Sequence, residues 1–262
     1  MSEWKAFIGR ITVFPALSAS APLPPASVLY RQMWGDDPDS YQKQANPLLP
    51  SVAQGKREGI AASCFALPTR IDFNLMATAT EQTMGDLALI EEAGKLNAEL
   101  TGMIAAIGRD ATSVSALRVA LFVHVLARTK GTQEAINALV KTIPYGLKLS
   151  NEEDLIFQVN RPYTSRQVPQ VEMNSIIKWS MDRFQVVTIS ISGDGPTGPA
   201  LAGGPSPASQ IQDRIGASVG FDINSRPVQA PLAGGQQSSL LLEALDAISR
   251  TQREIGLNIE GL

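Results

Sequence analysis

Proline is the residue that most limits what this chain can fold into. Pro15, Pro22, Pro24, Pro25, Pro38, Pro47 and Pro50 all fall between positions 15 and 59. Each fixes φ and removes a backbone donor, so no long regular element is expected there. The stretch reads as an extended surface excursion with one helical turn at Ala26–Met33, for which Pro25 is a suitable entry residue. A second interruption spans 193–209, where five glycines and four prolines fall in seventeen residues. That composition cannot hold a helix or a sheet interior, and it predicts a mobile loop or linker.

Between these interruptions the pattern alternates between strand and helix. Residues 6–14, Ile60–Phe65 and Arg70–Met76 mix β-branched and aromatic residues and read as strands, with Pro68 as a turn. Thr83–Gly108 predicts a long amphipathic helix through Leu87, Ile90, Leu96, Leu100, Met103, Ile104 and Ile107. Ser115–Leu126 is a further strand, and Thr132–Thr142 a short helix stopped before Pro144. The second half turns β-rich at Asp154–Asn160, Asn174–Trp179, Arg183–Ser192 and Ala217–Asn224. Within Arg183–Ser192, the Ile189–Ile191 side is read as the core face. Gln237–Ile255 predicts the last helix, ending at Gly256.

Two segments 150 residues apart echo each other: Arg70-Ile71-Asp72-Phe73-Asn74 and Gly220-Phe221-Asp222-Ile223-Asn224. Each leads through a polar connection into a long amphipathic helix, and Phe157–Asn160 is a weaker third copy. The expected class is therefore α+β: antiparallel sheet, as one sheet or two, with two long amphipathic helices on one face. The echo raises a duplicated strand–strand–helix unit as its origin. The chain divides into a first half at 1–110 carrying the 15–59 excursion and a second half at 111–262 carrying the 193–209 loop, or both fold as one domain.

Composition removes several chemistries. Of 262 residues, 44% are apolar, enough for a sizeable core, and the net charge of −3 lacks the basic excess of a general nucleic-acid binder. One cysteine, Cys64, excludes an intrachain disulfide and a multi-cysteine zinc cage, and one histidine, His124, excludes a paired-histidine site. Arg10 breaks the apolar start that a secretory signal needs, and the run at Val119–Ala127 is too short to span a bilayer. The expectation is a soluble cytoplasmic protein with no membrane partner.

Few residues stand out as carriers of chemistry. Asp72 with Asn74, and Asp222 with Asn224, share a strand face in each copy, and could together hold a divalent cation or polarise water. Turn capping by the same residues is the stronger reading. Gly193-Asp194-Gly195-Pro196-Thr197-Gly198 matches the dinucleotide fingerprint, yet the surrounding prolines deny it the helix it must open. No cofactor is expected. Cys64 reads as a buried small apolar residue and His124 as a core histidine, with a Cys64–His124 dyad as the reactive alternative. Asp36, Asp37 and Asp39 lack calcium-loop spacing and read as a solvated turn.

Arg161, Tyr163 and Arg166 form a basic–aromatic patch, with Trp179 as a further interface anchor. The lack of a credible catalytic constellation, the low share of charged residues and the long excursions at 15–59 and 193–209 point to a non-catalytic protein-binding or assembly subunit whose partner is another protein or a second copy. The alternative is a hydrolase or metal-assisted enzyme using Asp72 and Asp222. A nucleic-acid accessory role through Arg161 and Arg166 ranks third.

Overall fold

The computed structural model describes residues 3–16, 23–43, 50–57, 59–78, 86–109, 114–146, 154–190, 208–257, 259 and 261–262; within these, the side chains of 187–190 and 208–211 are left undescribed. The fold is α+β, with one large antiparallel sheet and, among the described residues, four helices. The strands are β1 (Trp4–Pro15), β2 (Ser40–Gln42), β3 (Ser51–Arg57), β4 (Ile60–Leu67), β5 (Arg70–Ala77), β6 (Ala116–Thr129), β7 (Ile156–Asn160), β8 (Tyr163–Thr164), β9 (Glu172–Ser190) and β10 (Ala208–Ser225). The helices are α1 (Ala26–Trp34), α2 (Ala93–Gly108), α3 (Thr132–Val140) and α4 (Gly234–Glu254). Strand order across the sheet is β2-β3-β4-β5-β1-β6-β10-β9-β7, with β8 added on β9. The sheet is continuous through both halves of the chain, because β1 pairs with β6 at its centre.

Register fixes which residues share a face. Phe73, Ile11, Leu121 and Ile223 form one row across β5-β1-β6-β10, and all four are at most 1% exposed. The next row on one side is Asp72–Thr12–Ala120–Asn224, and on the other Asn74–Arg10–Phe122–Asp222. Because side chains alternate, these two rows lie on the sheet face opposite to the Ile11 row. The Ile11 face is the core face. Gly9 lies on it, and a methyl placed there would sit 2.6 Å from Leu96 Cδ1, so α2 crosses β1 at close range. Leu96, Leu100, Met103, Ile104 and Ile107 of α2 are all fully buried. Each contributes about 1.5–3 kcal/mol of transfer free energy. Helix α4 packs on α2 and against β6 and β10.

Several sequence expectations need correction. The helix expected from Thr83 begins at Ala93; residues 79–85 lie outside the described ones. Leu89 and Ile90 are buried in extended chain instead, with Ile90 N–H donating to Ala6 O at 2.8 Å. A backbone bond to β1 thus claims residues whose spacing looked helical. The 15–59 stretch is less irregular than its prolines imply. It carries α1, entered after Pro25 and closed by Gly35 at φ 81°, and also β3, whose Ala53 is fully buried.

Asn174–Trp179 and Arg183–Ser192 belong to one strand, β9, rather than two. The intervening Ser180 and Asp182 are polar because they face away from the core side chains Trp179 and Met181. Of the 193–209 loop, Ala208 and Ser209 belong to β10, and 193–207 lies outside the described residues, as does the Gly193–Gly198 fingerprint. The Ile189–Ile191 side also lies outside them. Among the described residues, no helix is long and apolar enough to cross a membrane.

Candidate functional site

Arg161, Tyr163 and Arg166 come together along the C-terminal half of α4. Arg161 follows β7 and is tied to β9 by reciprocal backbone bonds with Ser175, of 2.9 and 3.3 Å. Tyr163 belongs to β8, paired with Met173. The chain then turns at Ser165, whose Oγ accepts the N–H groups of Gln167 at 3.2 Å and Val168 at 2.9 Å. Glu243 of α4 fastens this turn to the helix. Its carboxylate accepts Ser165 Oγ–H at 2.6 Å and Arg166 N–H at 3.1 Å.

A pocket of about 360 Å³ lies between the turn and α4, lined by Arg161, Tyr163, Arg166, Glu243, Arg250 and Glu254 among others. A neighbouring hollow of about 340 Å³ shares Arg166, Glu243 and Arg250 and adds Leu242, a leucine 48% exposed. Within the pocket most charges are already engaged. Arg161 pairs with Glu254 at 3.3 Å and donates to Tyr145 Oη at 3.4 Å; the bond to Tyr145 holds its guanidinium further toward the charged form. Arg250 is 3.1 Å from Asp246.

Two groups are left over. The guanidinium of Arg166 makes no ion pair or hydrogen bond among the described residues. The Tyr163 hydroxyl is buried with no partner. Burial pushes that phenol up to about 12, and the carboxylate of Glu243 adds to the shift, so it is a proton donor at any physiological pH. The pocket can therefore offer a bidentate cation and a neutral O–H donor to an incoming carboxylate or carbonyl.

Glu243, Arg250 and Glu254 did not stand out in the sequence. Their signal is spacing: with Ala247 they recur at intervals of four, three and four residues, which places them on one helical face. Trp179 does not join them. It is wholly buried on the core face of β9 against Phe157, ring centroids 5.6 Å apart.

The aspartate–asparagine pairs share a face but do not converge. Asp72 accepts Thr12 Oγ1–H at 2.7 Å and pairs with Arg70 Nε at 2.8 Å. Asp222 accepts Asn224 Nδ2–H at 2.9 Å, and Asn174 donates to Asn224 Oδ1 at 3.2 Å. Asn74 lies beside Arg10 across the β5–β1 register. Three strand spacings separate β5 from β10, about 14 Å. Among the described residues, no group of three or more His, Cys, Asp or Glu is placed to hold a metal ion.

Cys64 and His124 are also apart. Cys64 is fully buried in the Phe73 row of the core face, where desolvation pushes its thiol well up. His124 lies on the other face, three strands away. Its Nε2 is 3.5 Å from Asp182 Oδ2, and Ser218 Oγ donates to the same oxygen at 2.8 Å. Here the carboxylate sits between the serine and the imidazole. A nucleophilic triad needs the imidazole in that middle position. Of the early aspartates, Asp36 pairs with Arg57, Asp37 with Arg31, and Asp39 accepts Lys56 N–H. They tie a turn to its neighbours.

No family model, curated protein or solved structure matches this chain.

Proposed function

We propose that the protein is a non-catalytic protein-binding subunit of a larger assembly, and that its docking point is the pocket between the Ser165 turn and α4. One observation carries this reading: Arg161, Tyr163 and Arg166 line a single hollow, and the hydroxyl of Tyr163 is buried without a partner among the described residues. Leaving a buried polar group unmet costs about 1–3 kcal/mol, a cost that an acceptor on a partner removes. Arg166, without an ion pair among the described residues, supplies the matching cation, and exposed Leu242 an apolar contact beside it. The partner is a protein presenting a carboxylate or carbonyl to this pair, either a different chain or a second copy.

The same reading takes the two halves as a duplicated unit with both long helices on one face of the sheet. The register favours it. The central pair Ile11–Leu121 has Phe73 on one side and Ile223 on the other, which places Asp72 and Asp222 at matching positions of β5 and β10.

The test is recovery of tagged full-length protein from its own host, with native mass spectrometry of whatever accompanies it. A stoichiometric partner held by the wild type and lost by Arg166→Glu supports the reading. A chain that emerges as a lone monomer across salt conditions overturns it.

A further inference from the structure

The sheet face opposite the core carries two cations that form no ion pair among the described residues. Arg10 lies across from Phe122 in the β1–β6 register, and Arg118 lies across from Phe14. Each guanidinium stacks on the phenylalanine of the other strand, at 5.0 Å from the Phe122 centroid and 4.9 Å from that of Phe14. Neither makes a hydrogen bond or ion pair among the described residues, and the Nε of each is buried unpartnered. Of the acidic groups described on this face, Asp72 is held by Thr12 and Arg70, Asp222 accepts from Asn224, and Asp182 lies against Ser218 and His124; none of the three pairs with Arg10 or Arg118. Lys178, exposed on the same face, adds a third positive charge.

A long flexible cation is normally spread over many rotamers. The cation–π contact holds each guanidinium over a ring, so part of the ordering cost of a fork–fork contact is met before a ligand arrives. Phe14, and with it Arg118, lies four positions along β1 from Arg10, which is about 13 Å along the strands. An extended peptide repeats its side chains on one side with a period of two, so residues i and i+4 are spaced by the same about 13 Å.

We propose that this face of β1 and β6 binds an extended acidic segment of a partner protein, with carboxylates four residues apart seated on Arg10 and Arg118. The interaction is independent of the pocket on α4 and stands or falls without it. Carboxylate recognition by Arg is bidentate and planar, which lysine cannot reproduce.

The experiment is fluorescence anisotropy with the full-length protein and a labelled peptide carrying two glutamates at i and i+4 in a threonine–valine background. Controls are the glutamine version, a version with the glutamates adjacent, and a labelled single-stranded oligothymidine. The wild type is expected to bind the i, i+4 peptide at least tenfold more tightly than either peptide control. Arg10→Gln and Arg118→Gln are each expected to weaken it about tenfold, and the double variant about a hundredfold, since the sites are far enough apart to act additively. Arg10→Lys keeps the charge and is expected to lose most of the same affinity, a loss that misfolding does not explain if the melting temperature is unchanged. Equal binding of all three peptides, or no loss in the double variant, overturns the proposal. Tighter binding of the oligothymidine that depends on the same arginines also overturns it, in favour of a nucleic-acid strand.

Discussion

Asp72 and Asp222 stand on the same face of one sheet, three strands apart, each two residues before an asparagine on that face. Asp72 is the buried member of the pair, its carboxylate fully engaged by Thr12 and Arg70; Asp222 is half-buried and bonded to Asn224. No single cation spans about 14 Å with direct ligands at 2.3–2.6 Å. Magnesium, calcium or manganese is therefore expected to leave the melting temperature unchanged. Asp72→Asn is expected to destabilise the fold by about 1 kcal/mol through the lost charge-assisted pair, and Asp222→Asn by less than half of that. Thermal melts of both variants with and without metal check this. A metal-dependent stabilisation lost in both variants would revive a shared site.

Much of this architecture was legible in the sequence because alternation and helical period survive in single segments. The Arg70–Met76 and Ala217–Asn224 strands, the α3 segment and the α4 segment fall where their patterns put them, and the Asp-x-Asn echo falls on the strands flanking the central β1–β6 pair. What stayed hidden depends on contacts between distant segments. Leu87 and Ile90 fit a helical stripe, yet Ile90 is held extended by Ala6. Arg118 reads as a polar interruption of an apolar run until β1 lays Phe14 beside it. The basic–aromatic patch at 160–167 was visible as composition, but its other wall, Glu243, Arg250 and Glu254, comes from a helix some eighty residues later.

Tyr163→Phe removes a hydroxyl that is buried and bonds to nothing. Without a polar group to desolvate, the isolated chain is expected to gain about 1 kcal/mol, raising its melting temperature by about 2–4 °C. The same change is expected to weaken partner binding, because the donor that the pocket presents is gone. Opposite signs in a melt and a binding assay identify a group kept for recognition. A loss of stability would show that the hydroxyl has a partner after all.

Gly9 lies beneath α2, and a Cβ there would meet Leu96 Cδ1 at 2.6 Å and Leu100 Cδ2 at 3.4 Å. The nearest atom is the tip of a side chain, so Gly9→Ala is expected to cost about 1 kcal/mol and Gly9→Val about 2–3 kcal/mol. Leu96→Ala alone opens a cavity and costs about 2–5 kcal/mol. In the double variant Gly9→Val/Leu96→Ala the added methyls occupy part of that space. Its cost is expected to fall below the sum of the two singles by about 1 kcal/mol in denaturant titrations. Strict additivity would mean that α2 does not pack on Gly9.

Asp182 links β9 to β6 and β10 through His124 and Ser218. Its partial burial works to raise its pKa, but the bonds from His124, Ser218 and Ser180 outweigh that and leave the group below its ordinary value of 3.8. A carboxyl whose folded-state pKa is depressed contributes stability above its unfolded pKa, and loses it as pH falls through the folded value. The contribution is therefore present at neutral pH and disappears in acid, below about pH 4. Asp182→Asn is expected to be less stable than the wild type at pH 7, by about 1 kcal/mol. As the wild-type carboxyl protonates, the two melting curves should converge. Denaturant titrations of both chains from about pH 3 to pH 7 read this directly. A gap that persists at the acid end would assign the loss to amide geometry at Ser218 rather than to charge.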